Sequence, residues 1–181
     1  SGTGIDGSSY GGRNYPGIYE PADFHHNDGD ESKNCIVDDY TDKYNVQYCD
    51  LVGLPDLATS SSKVQQTLAD YINLAKSWGV SGIRVDAAKH QDASELGQVF
   101  DKLDSGLYIG MEVIGGGGEP VTPSMYYDLG QVSEFSYAYD VSSGVKNQNQ
   151  LNKLETLGES WGLMPDKYAV VFMGMWCCLC F

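Results

Sequence analysis

Along the first 62 residues the apolar positions follow neither a helical nor a strand period, and Gly, Asn, Asp, Ser and Tyr dominate. That texture predicts a loop-rich segment with short strands. At about Ser62 it changes. Val64, Leu68, Tyr71, Ile72 and Ala75 recur at helical spacing, with Ser62 as N-cap and Gly79 as the stop. A strand over 81–86 follows, then a helix from Ala93 to Lys102 and a mostly apolar strand over 107–114 closed by four glycines, Gly115 to Gly118. From Val132 to Tyr139 the residues alternate, Val132, Glu134 and Ser136 against Ser133, Phe135, Tyr137 and Tyr139, which predicts another strand. A helix from about Gln148 to Leu157, ended by Gly158, and a buried strand over 168–173 complete the pattern. Helix and strand alternate four times, the signature of an α/β fold with a parallel sheet.

Charge and cysteine usage narrow the classes. The 181 residues suffice for one domain, and 25 acidic against 11 basic residues give a net charge of −14. Such a surface repels nucleic acid and anionic membranes, so neither is an expected partner. Eighteen consecutive apolar residues occur nowhere, so no membrane span is expected. The chain opens without a methionine or a signal peptide, as a piece of a longer protein would. Cys35 and Cys49 bracket a polar loop, where either a disulfide or two free thiols fit. Cys177, Cys178 and Cys180 crowd the last five residues, without a further ligand for a zinc site.

The chemistry concentrates in two strings. Gly82-Ile83-Arg84-Val85-Asp86-Ala87-Ala88-Lys89-His90 reads as a strand whose period-two alternation sends Arg84 and Asp86 to one side. A guanidinium beside a carboxylate favours the ionised form that a carboxylate nucleophile needs. Taken alone, Arg-x-Asp reads more simply as a strand-end ion pair. In Leu107-Tyr108-Ile109-Gly110-Met111-Glu112-Val113-Ile114, Glu112 ends an apolar run where water is scarce, and burial favours the protonated form that a general acid needs. Two carboxylates in contrasting surroundings are the equipment of glycosidic-bond cleavage.

The first string resembles the second conserved region of the α-amylases of glycoside hydrolase family 13, and Gly110-Met111-Glu112-Val113-Ile114 resembles the third. Val46-Gln47-Tyr48-Cys49-Asp50-Leu51, Gly53-Leu54-Pro55-Asp56-Leu57 and Ser160-Trp161-Gly162-Leu163-Met164-Pro165 extend the resemblance over residues 1 to about 172. It implies an incomplete (β/α)₈ TIM barrel, from helix three through strand seven, over 63–173, with a loop-rich domain B over 1–62 and an aberrant tail over 174–181. The catalytic groups would then lie at the C-terminal ends of their strands. Retaining endo-hydrolysis of α-1,4-glucan is implied, with Asp86 as nucleophile and Glu112 as acid/base. Arg84 would orient Asp86, Lys89 and His90 would reach the aglycone side, and Tyr40 would contact sugar. A structural calcium would take the Asp56 carboxylate and the backbone carbonyls of Gln47 and His90, which suits its preference for oxygen. Chloride at Arg84 is a feature of some members. The resemblance also implies a Cys35–Cys49 disulfide, a secreted protein and monomeric full-length relatives.

Two departures temper the expectation of activity. The family's first conserved region has no counterpart before Ser1, and Cys177 stands where the third catalytic aspartate belongs, with Trp176 in place of a sugar-binding histidine. The 181-residue polypeptide is therefore expected to be inactive. A non-catalytic glucan- or calcium-binding role, or a transglycosylase of the same family, are the alternatives.

Overall fold

A computed structural model describes residues 2–146 and 148–173, so the Cys-rich tail with Trp176 and Cys177 lies outside the described residues. The N-terminal segment is built mainly of turns. It holds a two-residue antiparallel ladder, β1 (Gly2–Thr3) with β2 (Ser9–Tyr10), and one short helix, α1 (Lys43–Tyr48). Asp42 caps α1, its side chain accepting from the Tyr44 amide at 2.9 Å. Cys35 and Cys49 form a disulfide that fastens the entry of this stretch to the end of α1. Arg13, buried, ties the segment together through Asp50 at 2.6 Å and the carbonyls of His25 and Ser32.

Beyond it, helices alternate with a parallel sheet. The helix α2 (Ser62–Ser77) leads into β3 (Gly82–Val85), and α3 (Ala93–Phe100) into β4 (Tyr108–Met111). Next come β5 (Gln131–Ser133), α4 (Phe135–Lys146) and β6 (Ala169–Val170). The four strands pair in the order β3-β4-β5-β6, all parallel. Parallel strands joined by helical crossovers are what the pattern of apolar residues predicts, and they form the partial (β/α)₈ barrel that the resemblance implies.

Register decides which face is core. Val85 lies opposite Met111, Met111 opposite Val132, and Val132 opposite Ala169. Met111 and Val132 are buried with Val46, Ala88, Leu96, Val113, Val121 and Tyr126 in one cluster. The alternate positions, Arg84 opposite Gly110 among them, occupy the other face, where the site lies. Along α2 burial is divided: Val64 and Ala69 are buried, but Tyr71 and Leu74 are exposed, as is Trp78 at its C-cap.

The strand expected over 132–139 is corrected. Pairing ends at Ser133, and Phe135 already begins α4. The reason is Glu134, whose Oε1 accepts from the Ser136 amide at 2.8 Å and so satisfies a free donor of the first helical turn. Phe135 and Tyr139 fit a helical spacing of four as well as strand alternation, and the carboxylate cap decides between them. The helix expected from about Gln148 to Leu157 is present as a 3₁₀ helix, Gln148–Thr156. The expected strand over 168–173 shrinks to two residues, and that over 107–114 to four.

Two expected outcomes follow from these contacts. A Cβ at Gly130 would sit 2.7 Å from the Ile109 carbonyl oxygen, a backbone atom that cannot turn aside. Gly130→Ala should therefore cost about 1–3 kcal/mol by overpacking, read as a lowered urea midpoint at unchanged slope. The second concerns Asp23, which Lys63 on α2 holds at 2.5 Å. Burial works against the charge of Asp23, but the Glu20 amide and Lys63 outweigh it and hold its carboxyl below the usual value of 3.8. A folded value below the unfolded one stabilises above the unfolded value and is lost as pH falls through the folded one. Asp23→Asn should lower the melting temperature at pH 7, and the gap to the parent should close as pH falls below the usual carboxylate range. A gap that persists in acid would remove the ion pair as its cause.

Candidate active site

The β3–β4 register brings the two expected carboxylates to one guanidinium. Arg84 Nη1 lies 2.6 Å from Asp86 Oδ1, and its Nη2 lies 2.9 Å from Glu112 Oε1. Asp86 falls one residue beyond β3, at the start of a turn rather than in the ladder, and Ala87 after it adopts a left-handed φ of 49°. That conformation is uncommon for alanine and bends the chain sharply past the strand end. The other oxygen of Glu112 accepts from the Ala87 amide at 3.0 Å, so the turn and the acid fix each other. The two carboxyls differ in surroundings: the Glu112 side chain is 10% exposed, as its apolar run predicts, and that of Asp86 is 74% exposed. Arg84, Glu112, Ser133, Phe135, Val170 and Phe172 line a cavity of about 190 Å³ beside them. Both ends of the Arg84 guanidinium are engaged by carboxylates, so a chloride there would have to displace one of them.

Lys89 is turned inward and only 5% exposed. Its ammonium donates to the Ile114 carbonyl at 2.8 Å and to Glu119 Oε2 at 2.5 Å, and lies 4.8 Å from the centre of the Tyr40 ring. It thus spans three pieces: the turn after β3, the glycine loop after Glu112, and the N-terminal segment. Burial opposes the charge on Glu119, but Lys89 and the Gly116 amide hold its carboxyl below the usual range. Tyr40 meets the His90 ring edge-on at 5.9 Å. His90 Nδ1 lies 2.8 Å from the Val46 carbonyl, which requires the proton on that nitrogen. Burial pushes His90 below the ordinary imidazole value, so the ring is neutral near pH 7.

Two of the three residues expected at calcium, Gln47 and Asp56, meet through Gln91, and the third, His90, directly precedes it in the chain. Gln47 Nε2 donates to the Gln91 carbonyl at 3.3 Å, and the Gln91 amide donates to Asp56 Oδ1 at 2.9 Å. Asp56 Oδ2 lies 2.6 Å from His25 Nδ1. Burial pushes the Asp56 carboxyl up, against the pull of His25 and Gln91. Among the described residues there is no group of three or more His, Cys, Asp and Glu side chains fit to hold a metal. A carbonyl-rich set fits better: the backbone oxygens of Gln47 and His90 accept no hydrogen bond among the described residues. One carboxylate with two carbonyls is the donor chemistry a hard cation takes.

Sequence reasoning alone missed several members of the site. Glu119 closes the glycine loop onto Lys89. Tyr126, fully buried, donates to the Gln91 carbonyl at 2.6 Å and receives from Gln47 Nε2 at 3.1 Å. Glu134 Oε2 accepts from the Met164 amide at 2.7 Å, fixing the loop before β6. Only Glu119, directly after Gly115 to Gly118 and Gly-rich loop chemistry, carried a local signal; the partners of Tyr126 are 35 and 79 positions away.

No protein-family model matches the chain. Curated proteins do. It is 38% identical over 174 residues to an α-amylase of Streptomyces violaceus, covering 96% of this chain and 29% of that protein. It is 40% identical over 175 residues to an α-amylase of Aeromonas hydrophila, covering 96% of this chain and 38% of that protein. The solved α-amylase I of Eisenia fetida superposes with a TM-score of 0.85 at 35% identity, over 96% of this chain and 38% of that one. Its E249Q variant, solved as a complex with maltohexaose, superposes at 0.86. The chain thus spans little more than a third of these relatives at most. Among the described residues no helix is long and apolar enough to cross a membrane. With sequence likeness and fold agreeing over nearly its whole length, the chain belongs to the α-amylase family of glycoside hydrolase family 13, as part of its barrel.

Proposed function

We propose that this chain carries the nucleophile and the acid/base of a retaining α-1,4-glucan hydrolase. The observation that carries the reading is the Arg84 guanidinium gripping Asp86 and Glu112 at 2.6 and 2.9 Å. Retention needs the two carboxyls at about 5–5.5 Å, and two carboxylates that share one guanidinium support that spacing. Asp86, exposed on the turn, attacks the anomeric carbon while Glu112 gives a proton to the departing glycosidic oxygen. Water then cleaves the glycosyl–Asp86 ester, with Glu112 taking its proton. To donate, Glu112 must free an oxygen now held by Arg84 or by the Ala87 amide. Tyr40 offers a face to the sugar, His90 a neutral ring beside it, and Lys89 keeps the glycine loop in place from below. The maltohexaose complex of the Eisenia fetida relative supports an α-glucan as the ligand class. The disulfide supports an oxidising, extracellular setting.

A non-catalytic glucan-binding role is the second reading, favoured by Cys177 at the place of the third carboxylate. That group would supply electrostatic stabilisation to the transition state. The purified 181-residue chain should accordingly give no measurable starch hydrolysis. Turnover that vanishes in Asp86→Asn or Glu112→Gln would show instead that two carboxylates suffice. The glucan reading is tested by titrating the chain with maltoheptaose and following amide chemical shifts. The amides of Ala87, His90 and Glu112 should move, and a β-1,4-linked oligosaccharide should leave them in place. A maltoheptaose titration that moves none of the three removes the reading.

Calcium, in this proposal, is held by the Asp56 carboxylate and the carbonyl oxygens of Gln47 and His90. When bound it would supply a rigid joint between the N-terminal segment and the turn after β3. Millimolar calcium should raise the melting temperature of the parent but leave Asp56→Asn unmoved. An equal rise in both would place any bound calcium elsewhere.

A further inference from the structure

We propose that Tyr44, backed by Tyr48 on the exposed side of α1, is an accessory contact for a neutral α-glucan, outside the Asp86–Glu112 centre. This rests on the glucan reading above and adds a second place where the chain meets the same ligand. Tyr44 is 62% exposed, far more than a core or cap residue needs. Its ring is nonetheless held: it stacks on Tyr48, four residues on, with centroids 5.1 Å apart and planes 28° from parallel. His25 packs edge-on against the far partner, Tyr48, at 5.0 Å. The Asp42 cap fixes the start of the helix, and the Cys35–Cys49 bridge holds its end. An aromatic face that is both exposed and already ordered loses little entropy on binding.

The rim of this pair is polar. Lys43, the neighbour of Tyr44, reaches Asp92 Oδ2 at 3.2 Å. Glu95, whose charge acts on Tyr48, accepts from the Thr59 hydroxyl at 2.6 Å. An apolar plane bordered by an ammonium, carboxylates and a hydroxyl matches a pyranose, which has a C–H face and hydroxyls around its edge. Charge selects among occupants. With a net charge of −14 the chain repels polyanions and a second copy of itself, whereas a neutral glucan meets no such penalty. Position agrees as well. Tyr40, in the turn leading into α1, sits over Lys89 and edge-on to His90 at the candidate centre.

The test is affinity electrophoresis of the full 181-residue chain through gels with and without soluble starch. The parent should be retarded, and Tyr44→Ala should raise the apparent Kd about tenfold, the scale of one aromatic contact. Tyr44→Trp should keep the retardation, and Tyr71→Ala, an equally exposed tyrosine on α2, should leave it unchanged. Equal retardation of Tyr44→Ala and the parent overturns the accessory contact and leaves the glucan reading standing. A parent that starch does not retard, together with immobile Ala87, His90 and Glu112 amides, overturns both. Sugar-free sedimentation closes the remaining route: a dimer lost in Tyr44→Ala would assign this face to a second copy and overturn the proposal.

Discussion

The parallel register of β3 against β4 is the constraint on which the site depends. Arg84 lies opposite Gly110, so the next position on the same face of the second strand, Glu112, comes level with the guanidinium. A slip of one residue would send Arg84 and Glu112 to opposite faces and bury Gly110 among the helices. The slip is opposed by the core side of the same ladder, where Met111 is fully buried beside Val85 and Val132. Packing on one face of the sheet thereby sets the chemistry on the other. Gly110 adds to this by leaving room for the Tyr108 ring, which a Cβ there would meet at 3.3 Å.

A second set of contacts joins the loop-rich N-terminal segment to that sheet, and it is polar rather than apolar. Lys89, Gln91 and Tyr126 are its centre. Lys89 reaches the glycine loop, Gln91 bonds both Asp56 and Gln47, and Tyr126 bonds Gln91 and Gln47. Buried polar groups are costly unless each finds a partner, so such a network tolerates few alternative arrangements. That is how a segment of turns, with little apolar surface of its own, can hold Tyr40 and the α1 tyrosines in place beside the catalytic turn. The exception is Gln47 Oε1, buried with no hydrogen-bond partner among the described residues. It lies beside the residues proposed for calcium, where a donor water would satisfy it.

Much of this was legible in the chain. Helical spacing announced α2 and α3, apolar runs announced β3 and β4, and the strings around Asp86 and Glu112 carried the family resemblance. These signals are local: a strand buried on one face and a helix facing it write their period directly into the order of residues. The burial of Glu112 was legible for the same reason, since it lies in an apolar run, but the exposure of Asp86 was not, because the strand expected over 81–86 stops at Val85. The pairing of Cys35 with Cys49 came only through the resemblance, because two cysteines around a polar loop fit free thiols equally well.

Tertiary structure decided the rest. Residues 132–139 satisfy two periods at once, and only Glu134 capping the Ser136 amide, together with the end of pairing at Ser133, makes α4 of them. The sharing of Arg84 between both carboxylates depends on two strands meeting in one register, 26 positions apart in the chain between Asp86 and Glu112. Lys89 offers the plainest case. From its place after the motif it could point to solvent or inward with equal ease. It points inward because Ile114, Glu119 and Tyr40, from two distant segments, meet there to receive its charge. Alternation along a strand is a property of the chain itself, whereas the partner of a buried charge belongs to whatever the fold brings near it.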